Sequence, residues 1–174
     1  PQPLVSPALA DTATINASGT FGGGITLGPG TNLIFGSMIA TGPTGKVTVD
    51  PAGATGASNA FFNGAQQAGS VTFKAAAGSF PVNVTVVGFT AGLALSDKGS
   101  GTQGSITLGR VTLTGPFTAA SVVLKSGTPA KVANLTNTTA ATVPTDINVG
   151  AQITWNGIRP IGGFSIPLAI TVAY

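Results

Sequence analysis

The side chains that most often perform acid–base, nucleophilic or metal chemistry are nearly missing from this sequence. It contains no His, Cys or Glu, and its only carboxylate side chains are Asp11, Asp50, Asp97 and Asp146. General acid–base catalysis and triad chemistry call for an imidazole or for paired carboxylates. These four Asp residues are scattered beside turn residues, where a short carboxylate ordinarily caps its own loop. Zinc-type sites have neither imidazole nor thiolate to draw on. A calcium loop needs several oxygen ligands close together, and no segment clusters Asp. The run Gly19–Gly24, "GTFGGG", shares only its glycines with a phosphate loop; no helical pattern follows it and no Lys stands in place. The residues therefore predict a protein that is not an enzyme and takes no cofactor or metal.

Recognition chemistry is equally thin. The net charge of +3 comes from seven basic residues spread from Lys46 to Arg159. A nucleic-acid surface would gather them into a stripe with aromatics beside it, so no nucleic-acid partner is expected. The sequons at Asn16, Asn83, Asn134 and Asn137 arise readily by chance in a Thr-rich chain. Trp155, with Arg159 and Tyr174, has the residue types of a sugar platform, although one Trp in a strand more often packs in a core or an interface.

What remains is architecture. Only 6% of the residues are charged, 26 are Gly and 12 are Pro, and β-branched residues are common. Exposed-face helix formers are scarce, and Gly punctuates the apolar runs every few positions. Disorder would need low hydrophobicity and high charge, whereas 43% of residues are hydrophobic and mean hydropathy is +0.44. An all-β chain of short strands results, long enough at 174 residues to bury a core. Strands are expected at 25–39, interrupted by a turn at Gly28-Pro29-Gly30, and at 46–49, 70–75, 80–89, 92–97, 105–115, 120–127, 131–135, 146–155 and 164–174, with a loop that packs on the core beginning at "AFF" (60–62) and another loop over 136–145. Alternation and turn spacing of this kind indicate a sandwich or barrel. No apolar run reaches the ~18 residues of a membrane-spanning helix. The chain opens at Pro1 rather than Met, which fits a leader removed on export. So few charges protect poorly against association, and association is read as the purpose.

The two ends carry the clearest patterns. In "DTATINASGTF", Ala13, Ile15, Ala17, Gly19 and Phe21 share one side of an extended chain, and Thr or polar residues share the other. Gly22, Gly23 and Gly24 follow as a hinge. In "FSIPLAITVAY", Phe164, Ile166, Leu168, Ile170, Val172 and Tyr174 share one face. An immunoglobulin-like sandwich would ordinarily place another strand after the last one. Without it, an edge and an apolar groove are left open. The first strand either pairs within its own domain or is donated to a neighbour; donation is the reading that fills the groove.

The order "NLIFGSM" (32–38), "GKVTVDPAG" (45–53) and terminal "ITVAY" (170–174) resembles Gly/Thr-rich secreted bacterial pilins, similar to archaic chaperone–usher and spore-coat-U-like pilins. The resemblance implies an incomplete immunoglobulin-like β-sandwich over residues 25–174, completed by an N-terminal donor strand (1–21, hinge 22–24) from a neighbouring subunit. It implies export through the periplasm with a chaperone and an outer-membrane usher, head-to-tail polymerisation of identical subunits into a surface filament, and a role in adhesion or biofilm formation. Carried onto this chain, the donor is Ala13, Ile15, Ala17, Gly19 and Phe21. The acceptor groove lies between Ile25, Leu27, Leu33 and Phe35 on one side and Phe164, Ile166, Leu168, Ile170, Val172 and Tyr174 on the other. The chain departs from many such pilins in lacking a disulfide. Two rivals remain: a monomeric carbohydrate-binding adhesin, and a capsid or surface-layer jelly roll with an exchanged arm.

Overall fold

A computed structural model describes residues 12–17, 25–75, 77–87, 93–137 and 145–174. Gly19, Phe21 and the hinge Gly22–Gly24 lie outside the described residues, as does most of the loop expected over 136–145. The strands are β1 (Thr26–Pro29), β2 (Met38–Ala40), β3 (Thr44–Val49), β4 (Thr55–Ser58), β5 (Ala60–Phe62), β6 (Gly69–Lys74) and β7 (Gly78–Val87). They continue with β8 (Leu93–Asp97), β9 (Gln103–Thr114), β10 (Val122–Lys125), β11 (Ala130–Asn137), β12 (Thr145–Asn156), β13 (Pro160–Ile161) and β14 (Ala169–Ala173). No helix occurs among the described residues.

Among the described residues all pairings are antiparallel and fall into three sheets. The largest runs β1-β6-β12-β9-β8-β13, with β3 and β4 added beside β12 and β10 beside β9. Its centre is β12, which is long enough to pair β6 through Thr145–Val149 and β3 through Ala151–Asn156 along the same edge. The second sheet is β11-β7-β14, and the third is the short pair β2-β5.

The alternation that made these strands legible also builds the core. Val82, Val84 and Val86 of β7, Leu135 of β11 and Val172 of β14 are buried in one cluster with residues of the large sheet, among them Phe73, Val111, Leu113, Ile147 and Ile153. Their neighbours in sequence stay on the other face, as a period of two requires. The chain is thus all-β, with several sheets stacked around one core, consistent with a β-sandwich.

Two local expectations change. Gly28-Pro29-Gly30 is not a turn, because β1 extends through its first two residues, with Gly28 opposite Thr72 and Pro29 opposite Val71. Pro is tolerated there because β1 is an edge strand. The glycines serve close approach: a Cβ on Gly30 would stand 2.2 Å from the carbonyl oxygen of Ser70. Second, "AFF" (60–62) is strand β5 and not the start of a loop, with Phe61 opposite Ile39.

Candidate functional site

Between the large sheet and the C-terminal stretch lies an open cavity of about 1010 Å³. Leu33 and Phe35 line one wall, and Phe164, Ile166, Leu168 and Ile170 line the other. The floor is made by core-facing side chains of the large sheet, among them Val47, Ile106, Ile153 and Trp155. None of the described lining residues carries a charge. A groove of this composition suits an apolar, extended occupant and offers nothing to an ionic one.

The first wall is tied down by backbone. After Pro29 the chain continues beside β6: Ser70 N–H donates to the Thr31 carbonyl at 3.0 Å, and Ile34 and Gln67 exchange both backbone bonds at 2.8 and 2.9 Å. Thr31 N–H also donates to Ser70 Oγ at 3.1 Å. Phe35, 8% exposed, belongs to the buried core.

The second wall is held differently. Residues 163–173 alternate between outward and inward without a break, but only Ala169–Ala173 form a ladder, with β7. The phase of that ladder can be worked out. Val86 N–H donates to the Pro129 carbonyl, on the β11 side. Backbone groups alternate sides along a strand, so Thr85 and Asn83 point to β14. Their partners there are Thr171 and Ala173. Ile170 and Val172 therefore aim their N–H and C=O groups at the open edge, and continued alternation aims those of Phe164, Ile166 and Leu168 the same way. None of these groups has a backbone partner among the described residues. The residues whose side chains line the cavity are thus the ones whose ladder positions are open. Pro167 falls in the opposite phase, so its missing N–H does not interrupt that edge.

Arg159, just before β13, anchors the approach to this wall. Its N–H donates to Asp97 Oδ1 at 2.8 Å. Ser100 gives both its N–H and its hydroxyl to Oδ2 of the same carboxylate, each at 2.8 Å. The Arg159 N–H first, and then the Ser100 hydroxyl, hold the Asp97 carboxyl below its ordinary value of 3.8. This is loop architecture, as is Asp50, whose Oδ1 accepts from Ala52 and Ala54 N–H. No group of metal-binding side chains occurs among the described residues.

Of the acceptor residues expected from sequence, Leu33, Phe35, Phe164, Ile166, Leu168 and Ile170 meet at the cavity, and the Phe35 and Phe164 rings approach to 6.1 Å. Ile25 and Leu27 pack against the core elsewhere and do not line it. Val172 is buried in the core, and Tyr174, 60% exposed, lies against Phe80 at 5.0 Å. Trp155 is a floor residue, its indole N–H donated to the Gly42 carbonyl at 3.1 Å. Of the expected donor residues, Ala13, Ile15 and Ala17 are described: residues 12–17 belong to no strand, all are exposed, and Ile15 is 89% so. Sequence reasoning missed Met38 and Ala60, which add to the lining from β2 and β5. Only the apolar runs around Ile39 and Phe61 could have signalled them.

No protein-family model matches the chain, and no curated protein and no solved structure matches it.

Proposed function

We propose that this chain is the structural subunit of an extracellular bacterial filament that polymerises by donor-strand exchange. The sandwich is immunoglobulin-like and incomplete. The arm around Asp11–Phe21 of one copy lies in the groove of the next and pairs with the edge of Phe164–Val172. One observation carries the reading: an uncharged groove with an open ladder edge occurs in the same chain as an alternating segment whose Ile15 side chain is 89% exposed. Each is a liability alone, since an unprotected edge invites pairing and exposed apolar surface invites association. Together they are complementary by strand addition, where the ladder gives affinity and alternate side chains give fit.

The magnitudes favour it. Burying a large donor side chain such as Ile15 contributes roughly 1.5–3 kcal/mol. Each ladder hydrogen bond adds about 0.5–1.5 kcal/mol, against an association cost of roughly 4–15 kcal/mol. The contact is head-to-tail, so it propagates and does not close as a dimer. Export through the periplasm, with a chaperone covering the groove and an outer-membrane usher, and a role in adhesion or biofilm formation complete the proposal.

The test removes residues 1–21. The truncated chain is expected to aggregate or unfold, and a synthetic Asp11–Phe21 peptide is expected to rescue a stable one-to-one complex on gel filtration. A truncated chain that stays monomeric and stable, and ignores the peptide, overturns the reading.

A further inference from the structure

The three-stranded sheet has two edges, β11 and β14. The phase derived above holds for β11 as well: Lys131, Ala133 and Leu135 direct their backbone groups to β7, while Ala130, Val132, Asn134 and Thr136 direct theirs outward. Two of these outward positions are occupied from within the chain. Thr118 N–H donates to the Asn134 carbonyl at 2.9 Å, and Thr136 N–H donates to the Pro116 carbonyl at 2.7 Å. Phe117 stands opposite Leu135 between those bonds. It is 8% exposed and belongs to the core. The Thr118 and Thr136 hydroxyls meet at 2.8 Å. Beyond this strap, Ala130 and Val132 keep their outward phase, and Val132 is 65% exposed. On the phase of Leu135, Ala133 comes next and packs against the core, and after it stands Lys131, opposite Val84 and exposed. A charge on the inward phase is a known deterrent to strand addition.

We propose that the strap Pro116–Thr118, with Lys131 beside it, is a stopper that limits the three-stranded sheet to one acceptor edge. The inference rests on the donor-strand reading of the groove. A three-stranded sheet open at both edges could receive two arms, and the polymer would branch or bundle. With the Asn134–Thr136 stretch of β11 sealed by a segment anchored through Phe117, an arriving arm of another copy finds the longer open run of this sheet beside β14. Unsealed, β11 would accept the same alternating arm.

The experiment compares filaments of the full-length chain with those of Phe117→Ala and Thr118→Pro. The first variant removes the anchor. The second removes the N–H given to Asn134 at an exposed position, and it decides the question if Phe117→Ala does not fold. The probe is a fluorescent Asp11–Phe21 peptide, read together with electron micrographs. Wild-type filaments, whose grooves are filled, are expected to take up peptide only at their ends. Strap variants are expected to take up about one further peptide per subunit, or to form bundled and branched filaments. Folded variants that assemble into single filaments with wild-type peptide uptake overturn the inference. A wild-type chain that forms no filaments defeats the donor-strand reading itself.

Discussion

The two walls of the groove are both apolar and both extended, yet they are secured by different physics. The wall at Pro29–Phe35 is laddered to β6 and its flank, as the continuation of the four paired residues of β1 and then through the reciprocal bonds of Ile34 and Gln67. The wall at Gly163–Leu168 has no ladder partner among the described residues and leans inward through Phe164, Ile166 and Leu168. Side-chain burial is non-directional and tolerates sliding, whereas a ladder fixes register. The first wall is therefore fixed in register, and the second is the one that can adjust.

Amide hydrogen exchange gives the largest expected contrast. The amides of Ile34, Gln67 and Ser70 should exchange at least ~100-fold more slowly than those of Phe164, Ile166 and Leu168, because laddered groups open only with larger units of structure. Adding an Asp11–Phe21 peptide to the full-length monomer should slow the second set and leave the first unchanged. Equal protection of both walls before any peptide is added would erase the distinction.

Truncating the facing rings sharpens it. Phe35→Ala should cost about 3 kcal/mol in denaturant unfolding, the lower end for a buried Phe. Phe164→Ala, at a half-buried position on the unladdered wall, should cost about half as much. Glycine substitutions extend the same comparison to the backbone. Gly30→Ala puts a methyl group against the Ser70 carbonyl and should destabilise by roughly 1–3 kcal/mol. Gly163 has nothing within 4 Å of such a methyl, so Gly163→Ala should stay within about 0.5 kcal/mol of wild type.

The smallest effect is a pH dependence at the foot of the adjusting wall. The Asp97 carboxyl titrates below 3.8 when folded, so its contribution to stability is present above that value and fades as pH falls through the depressed one. Asp97→Asn should flatten the acid limb of a stability–pH curve slightly, and an unchanged limb would release Arg159 from its role as anchor.

Much of this was legible in the sequence, and the physical reason is local. Strict alternation in segments such as Val47–Val49, Val82–Val86 and Ile147–Trp155 marks strands whose inward residues are the ones now buried. The adjusting wall was read the same way, from Phe164 to Ile170. What escaped depends on partners distant in sequence. Thr55–Ser58 is all small or polar and exposed, and becomes a strand only because β3 pairs with it. Gly28-Pro29-Gly30 carries every local signal of a turn, and only the neighbouring Ser70 and Thr72 explain why it is extended. The groove floor could not be found from spacing, because Val47, Ile106 and Trp155 meet there only after β3, β12 and β9 have paired side by side. Ile25 and Leu27 have the right alternation for the fixed wall but sit before the groove begins.

Pro167 has one further consequence. It occupies the first place beyond Ala169 at which the C-terminal strand could next donate to β7. An imino acid has no hydrogen to give, so zipping onto the parent sheet is halted there by covalent structure. Solvent, salt and temperature can loosen a hydrogen bond, but none of them can supply a proton that the ring nitrogen never carried. The stretch before it is thus kept in reserve by a single ring.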